Sequence, residues 1–178
     1  MSVKKEVFGV SKDGKELHLY TISNGMVTVK VTDLGATIVS VILQDKHEND
    51  TDVVLGYDDA DGYYANPGYF GAVIGRSGNR IDKGRFTLNG KEYQLDINNN
   101  ENNLHSGKNG FDHRVWETER IGDNSVSFFL KDADLEQGYP GNFQVTVTYT
   151  LSAEGSLTWT CSTPMLRRGL SHARCPPG

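Results

Sequence analysis

"LYTISNGMVTVKV" occupies Leu19–Val31 and sets an Asn-Gly pair between two segments in which apolar and polar residues alternate. Alternation with a period of two marks a strand with one face buried, and Asn-Gly suits the central positions of a tight hairpin turn. A two-residue loop at Asn24-Gly25 predicts Ile22 opposite Val27 and Tyr20 opposite Val29. The signal recurs in "RFTLNGKEYQL" (Arg85–Leu95), where Asn89-Gly90 predicts Phe86 facing Tyr93. "GATIVSVIL" (Gly35–Leu43) carries β-branched residues on both faces, as a strand covered on both sides would. "SVSFFL" (Ser125–Leu130), "QVTVTYTL" (Gln144–Leu151) and "SLTWT" (Ser156–Thr160) continue the series, with "QGYPGN" (Gln137–Asn142) predicted as a tight turn between two strands. Helical periodicity is confined to one short turn between Asp58 and Ala65. Many short strands separated by turn signals predict an all-β fold, an antiparallel sandwich or barrel.

Composition narrows the class. The 178 residues carry a net charge of −5 and are 37% hydrophobic. That length suits one domain or part of a larger one, and that charge argues against nucleic acid as the main partner. No apolar run is long enough to span a bilayer, and no apolar stretch follows Lys4 and Lys5 to make a signal peptide. The expected compartment is cytoplasmic, so Asn49-Asp50-Thr51 is read as a chance match to the glycosylation pattern. Only Cys161 and Cys175 occur. They exclude a disulfide scaffold and a multi-cysteine zinc site; a bridge between them stays open beside the simpler reading of two reduced thiols.

Several segments hold residue types that chemistry uses. "GAVIGRSGNRIDKGRF" (Gly71–Phe86) is glycine-rich but has neither a Gly-Lys-Ser/Thr ending nor G-x-G-x-x-G spacing. What remains is a glycine loop carrying Arg76, Asn79 and Arg80, whose directional donors suit neutral hydroxyl groups or a solvated turn. "DINNNENNLHSG" (Asp96–Gly107) places Glu101 where a calcium loop needs glycine and Gly107 where it needs glutamate, which rules that site out. His105, Asp112 and His113 share a loop, yet a spacing of eight between the histidines is unspecific for zinc and no third strong ligand is evident. No Ser-His-Asp set and no glycosidase-like carboxylate pair emerges from spacing.

Five segments together resemble the aldose 1-epimerase (galactose mutarotase) family: "DVVLGYDDADGY", "YFGAVIGRSGNRIDKGRF", "LNGKEYQL", "NNENNLHSGKNGFDHRVW" and "EQGYPGNFQVTVTYTL". The resemblance runs from about Val7 to Trp159, in the family's order. It departs at "LHSG", where serine stands in place of the first glycine of Leu-His-Gly-Gly. The resemblance implies a large antiparallel β-sandwich (a supersandwich) whose groove binds a free aldose such as galactose or glucose and interconverts its α and β anomers, with no cofactor and no metal. A carboxylate takes the C1 hydroxyl proton while an acid protonates the ring oxygen; the ring opens, the aldehyde carbon turns, and closure on either face gives either anomer. Carried over by residue, Asn79 and Arg80 match the family's sugar-binding pair. His105 matches the histidine beside the reacting centre and is expected in both binding and catalysis. Gly75 and Gly78 are expected as backbone turns near the ligand.

The same resemblance implies what these residues lack. The family's principal acid lies in a later Asn-His-Ser-Tyr-Phe-Asn-Leu-like motif, its base is a glutamate nearer the C-terminus, and a further aspartate binds sugar. None of these motifs occurs here, and the neighbours of His172 do not match. Residues 1–160 are therefore expected to be the N-terminal part of such a sandwich. Residues 161–178, rich in arginine and proline without periodicity, are expected to be a disordered non-family tail, from a shifted reading frame or an alternative transcript end. The chain is then a truncated form with little or no activity, the rival reading being a non-catalytic carbohydrate-binding module. If a dozen apolar side chains lost their cover at about 1.5–3 kcal/mol each, the deficit would exceed the ~5–15 kcal/mol net stability of a domain, so the fragment is expected to be marginal, with an open strand edge.

Overall fold

The computed structural model describes residues 1–164. Five strands, β1 (Ser2–Val10), β2 (Glu16–Ser23), β3 (Val27–Thr32), β4 (Thr37–Gln44) and β5 (Asp50–Asp52), form one antiparallel sheet in sequence order. Helix α1 (Ala60–Ala65) follows, capped by the Asp59 carboxylate on the Gly62 N–H. Four short strands come next: β6 (Arg80–Ile81) pairs with β9 (Asn103–Leu104), and β7 (Arg85–Leu88) with β8 (Lys91–Gln94). A second antiparallel sheet holds β10 (Glu117–Ile121), β11 (Ser125–Asp132), β12 (Phe143–Leu151) and β13 (Leu157–Ser162), again in sequence order. The all-β antiparallel expectation holds. Of the tail expected from residue 161, Cys161 and Ser162 instead complete β13, and residues 165–178, with His172 and Cys175, lie outside the described residues.

Alternation dictates the packing. In β12 the burial pattern alternates strictly, sending Phe143, Val145, Val147, Tyr149 and Leu151 inward and the intervening glutamine and threonines outward. These side chains, with Val126, Phe128 and Leu130 of β11, meet Tyr20, Ile22, Val29 and Val31 of the first sheet in one core. The Tyr149 hydroxyl donates to the Ala36 carbonyl across the sandwich (2.7 Å). A smaller cluster on the far side of the first sheet joins Leu17, Leu19, Leu34 and Val39 to Ala60 and Tyr63. β4 is thus covered on both faces as predicted. A bulge opposite Lys30 and Val31 leaves Val39 as the extra residue, facing the smaller cluster while Ile38 and Val41 pack on the main core.

The bare inner face expected of a partial sandwich is absent, while the expected open edges are present: among the described residues β1, β5, β10 and β13 each pair on one side only. Both sheets lie within residues 1–164 and cover each other, and the exposed large apolar side chains, such as Val7, Leu43, Leu55 and Ile121, come from separate elements. Two turn readings also change. The first hairpin pairs Ile22 with Val29 and Tyr20 with Val31, two residues along from the predicted register. Asn24 does not occupy a central turn position; its side-chain oxygen accepts from the N–H groups of Met26 and Val27 (2.9 and 2.8 Å), so Gly25 and Met26 form the tip. Asn89, by contrast, adopts the left-handed conformation itself (φ 51°), and Phe86 faces Tyr93 as predicted, rings stacked at 5.3 Å. The expected tight turn at Gln137–Asn142 is instead part of a wider loop, 133–142, closed by the Asp132–Phe143 pair. It is wide because it wraps a buried guanidinium, that of Arg76.

Candidate functional site

The glycine-rich segment before β6 is fixed from below. Gly71 has φ +64°, its carbonyl accepts the Ile38 N–H (3.0 Å), and a Cβ there would overlap the Ile38 carbonyl. Gly75 lies flat on the Phe111 ring, with no room for a side chain. Arg76 then turns inward. Its Nε donates to the Asp132 carboxylate, Nη1 to the carbonyls of Pro140 and Gly141 (3.2 and 2.8 Å), and Nη2 to those of Asp132 and Ala133 (3.1 and 2.8 Å). With every N–H used and only 9% of the side chain exposed, Arg76 is a structural anchor and offers nothing to a hydroxyl-bearing ligand. Of the two readings open for the loop's donors, hydroxyl binding or a solvated turn, Arg76, to which the resemblance assigns no contact, follows neither.

The chain emerges from this anchor at Ser77 and presents Asn79 and Arg80 on the surface. His105 meets them from the other strand of the β6–β9 pair, where Arg80 lies opposite Leu104. Two reciprocal bonds fasten the loops: the Asn79 N–H donates to His105 Nδ1 (3.0 Å), and the His105 N–H donates to the Asn79 carbonyl (3.0 Å). Both residues take positive φ, 64° and 52°. Beneath them the Ser106 hydroxyl, fully buried, accepts from the Ser77 N–H (2.8 Å) and donates to the Ser77 carbonyl (3.1 Å). The serine of "LHSG" thus adds a bridge between the loops that a glycine could not make.

The asparagine-rich run is scaffolding. Asn98 clamps Leu104 through both its amide atoms (2.7 and 2.9 Å), Asn103 donates to the Asp96 carbonyl (2.8 Å), and Asn102 accepts from the Lys83 N–H (3.1 Å). Asn99 accepts from Arg80 Nε (3.0 Å), which aims the guanidinium; its two terminal nitrogens carry no hydrogen bond among the described residues.

Electrostatics define the imidazole. Because Nδ1 accepts a backbone N–H, neutral His105 carries its proton on Nε2, an assignment that follows from the hydrogen bond. Burial, and then the Arg80 charge, pull its pKa below the ordinary 6.5. At neutral pH His105 is thus a neutral Nε2–H donor. Protonation would abolish the Nδ1 acceptor, so this contribution to stability is fully present above about pH 6.5 and is lost as pH falls through the lower folded pKa. An NMR titration of the His105 ring is expected to give a midpoint below 6.5, and a midpoint above that value would contradict this geometry.

One neighbour, Tyr69, opens the segment "YFGAVIGRSGNRIDKGRF", but the resemblance gives it no role there. The Tyr69 ring packs edge-on against His105, centroids 4.6 Å apart, and Tyr69 itself sits at φ 55°. Burial raises its phenol pKa, with the Asp112 charge adding to the rise and Arg80 opposing it. Periodicity does not separate Tyr69 from its aromatic neighbour Phe70, and its positive φ is visible only once the backbone is known. Asp112, buried, lies 3.3 Å from His113 Nε2. No group of three His, Cys, Asp or Glu side chains suited to a metal occurs among the described residues. No helix among them is long and apolar enough to cross a membrane.

The antiparallel sandwich and the paired glycine and histidine loops can be set beside known proteins. The family model for aldose 1-epimerase matches residues 18–166. Galactose mutarotases from Mus musculus and Homo sapiens are each 42% identical to this chain, over 152 and 151 residues (85% and 84% of it), and an aldose 1-epimerase from Haemophilus influenzae is 41% identical over 149 residues. An aldose epimerase homologue from C. elegans superposes with a TM-score of 0.76 at 33% identity, covering 82% of this chain and 46% of that one. The galactose 1-epimerase from Lactobacillus acidophilus gives the same score at 25% identity and 90% coverage. The chain belongs to the aldose 1-epimerase family. It spans 44% of the length of the mouse and human mutarotases, so it corresponds to a partial, N-terminal segment of the family's fold.

Proposed function

We propose that this chain forms the sugar-gripping half of an aldose 1-epimerase site. In this reading Arg80, Asn79 and the Nε2–H of His105 hold the hydroxyls and ring of a free aldose such as galactose or glucose, and Tyr69 steadies the imidazole. The observation that carries the reading is the fastening of His105 to the Asn79 backbone with Arg80 aimed beside it, three hydroxyl-directed groups on one surface. His105 would act in the reaction as a neutral hydrogen-bond donor near the ring oxygen, since its depressed basicity suits donation better than carrying a full proton. Ring opening also needs a base for the C1 hydroxyl. The buried carboxyl whose charge reaches Tyr69, that of Asp112, is engaged with His113. The 178 residues alone would therefore grip the sugar and convert it slowly or not at all.

The test is polarimetry on fresh α-D-galactose combined with calorimetric titration of the same preparation. Mutarotation no faster than the spontaneous rate is expected, with saturable binding that Arg80→Ala weakens about tenfold, the loss of one or two directional bonds to a ligand. Enzyme-level mutarotation would overturn the inactive reading. Absence of sugar binding by a folded sample would overturn the grip.

A further inference from the structure

A concavity of about 500 Å³ opens where the turn between β1 and β2, helix α1 and residues 108–115 converge. We propose that it binds a phosphate group, as the free dianion or as a small phosphate monoester, a role that shares no residue with the sugar grip. Lys12, Lys15, Lys108 and Arg114 all line it, a local excess of positive charge on a protein of net charge −5. Its acidic residues do not cancel that excess. Glu136 is held 3.4 Å from Arg114 Nη1 and accepts the Ala133 N–H (2.9 Å). This leaves Asp13 as the one uncommitted carboxylate on the wall.

The lysines are unneutralised. Among the described residues none of Lys12, Lys15 and Lys108 lies within ion-pairing distance of a carboxylate. Lys12 is placed over the Tyr64 ring, 4.7 Å from its centroid, which fixes the direction of its stem at the rim. His113 completes the wall, one ring nitrogen turned to Asp112. Three like charges around one hollow repel each other, and an anion with several acceptor oxygens relieves all three repulsions at once. Each ammonium offers three donors with no fixed plane, which suits a tetrahedral oxyanion better than a flat carboxylate. The protein around the hollow is acidic overall, so it favours a small ligand over a polyanionic strand.

The test titrates inorganic phosphate and glycerol 3-phosphate separately into the full chain at neutral pH by calorimetry, and then into Lys15→Ala/Lys108→Ala. Both lysines are exposed, so the double variant is expected to fold as the parent does. One saturable site is expected, roughly tenfold weaker in the double variant and weaker again on adding salt, as unpaired surface charges require. Tighter binding of the ester identifies a phosphorylated metabolite as the ligand; equal binding identifies free phosphate. No saturable binding of either probe, or binding that the double substitution leaves unchanged, overturns the proposal.

Discussion

Asp132→Ala is expected to lower unfolding stability by about 3–5 kcal/mol, the cost of removing one member of a buried ion pair and leaving the other uncompensated. The Asp132 side chain is fully shielded from solvent and meets Arg76 and Arg114 on its two oxygens. Arg76 is 9% exposed and Arg114 17%, so neither guanidinium can recover its hydration without moving. A domain's net stability is about 5–15 kcal/mol, so the loss is a large share of the whole. Arg76 is also the anchor from which Ser77–Arg80 emerges, so the same change should weaken sugar binding without touching a binding residue. Urea denaturation of wild type and variant measures the first effect. The deficit should persist in high salt, because a buried pair is poorly screened. A loss below about 1 kcal/mol, the range of a surface pair, would show that the network is solvated.

Phe111→Ala should cost a similar amount for a different reason, about 3–5 kcal/mol from lost burial and the cavity left behind. Phe111 is 1% exposed, edge-on to Trp116 (5.7 Å) and stacked on Phe143 (5.9 Å). Its carbonyl accepts the Trp116 Nε1–H and its N–H donates to the Gly75 carbonyl. Its ring is the floor on which Gly75 rests. The variant therefore opens a void directly under the loop that carries Asn79 and Arg80. Phe111→Leu, which keeps most of the volume, should lose much less. Equal losses for the two variants, read from denaturation midpoints, would refute the account based on a void.

The fold was legible where local chemistry and tertiary packing agree. The alternation in Gln144–Leu151 gave the strand, and the structure then sends its apolar residues inward, because a period of two has one geometric meaning. Asn89-Gly90 gave the right register since Asn89 adopts the conformation its type favours. Asn24-Gly25 gave the right hairpin and the wrong register, since the Asn24 side chain took over the bonding expected of a backbone turn. The candidate site was legible by residue type and resemblance at Asn79, Arg80 and His105, and the structure brings all three to one surface. Their fastening was not legible, as it pairs the His105 ring and the Ser106 hydroxyl with backbone atoms of a segment 26 to 29 positions away, a relation no local pattern marks. Arg76 misled for the opposite reason. Its type suggests a surface donor, but its partners lie 56 to 65 positions away and leave no mark near it. Tyr69 contacts His105 by its ring edge, a relation no local pattern encodes.

The paired bonds between Asn79 and His105 have a kinetic corollary. Segments held by one backbone bond, one bond to an imidazole nitrogen and a buried hydroxyl bridge have already given up their conformational freedom when the polypeptide folds. An incoming molecule therefore finds its donors pre-set, and little of its binding enthalpy is spent on freezing the receptor. Association should then be a single-step encounter whose rate rises linearly with ligand concentration, without the plateau that a slow rearrangement would impose.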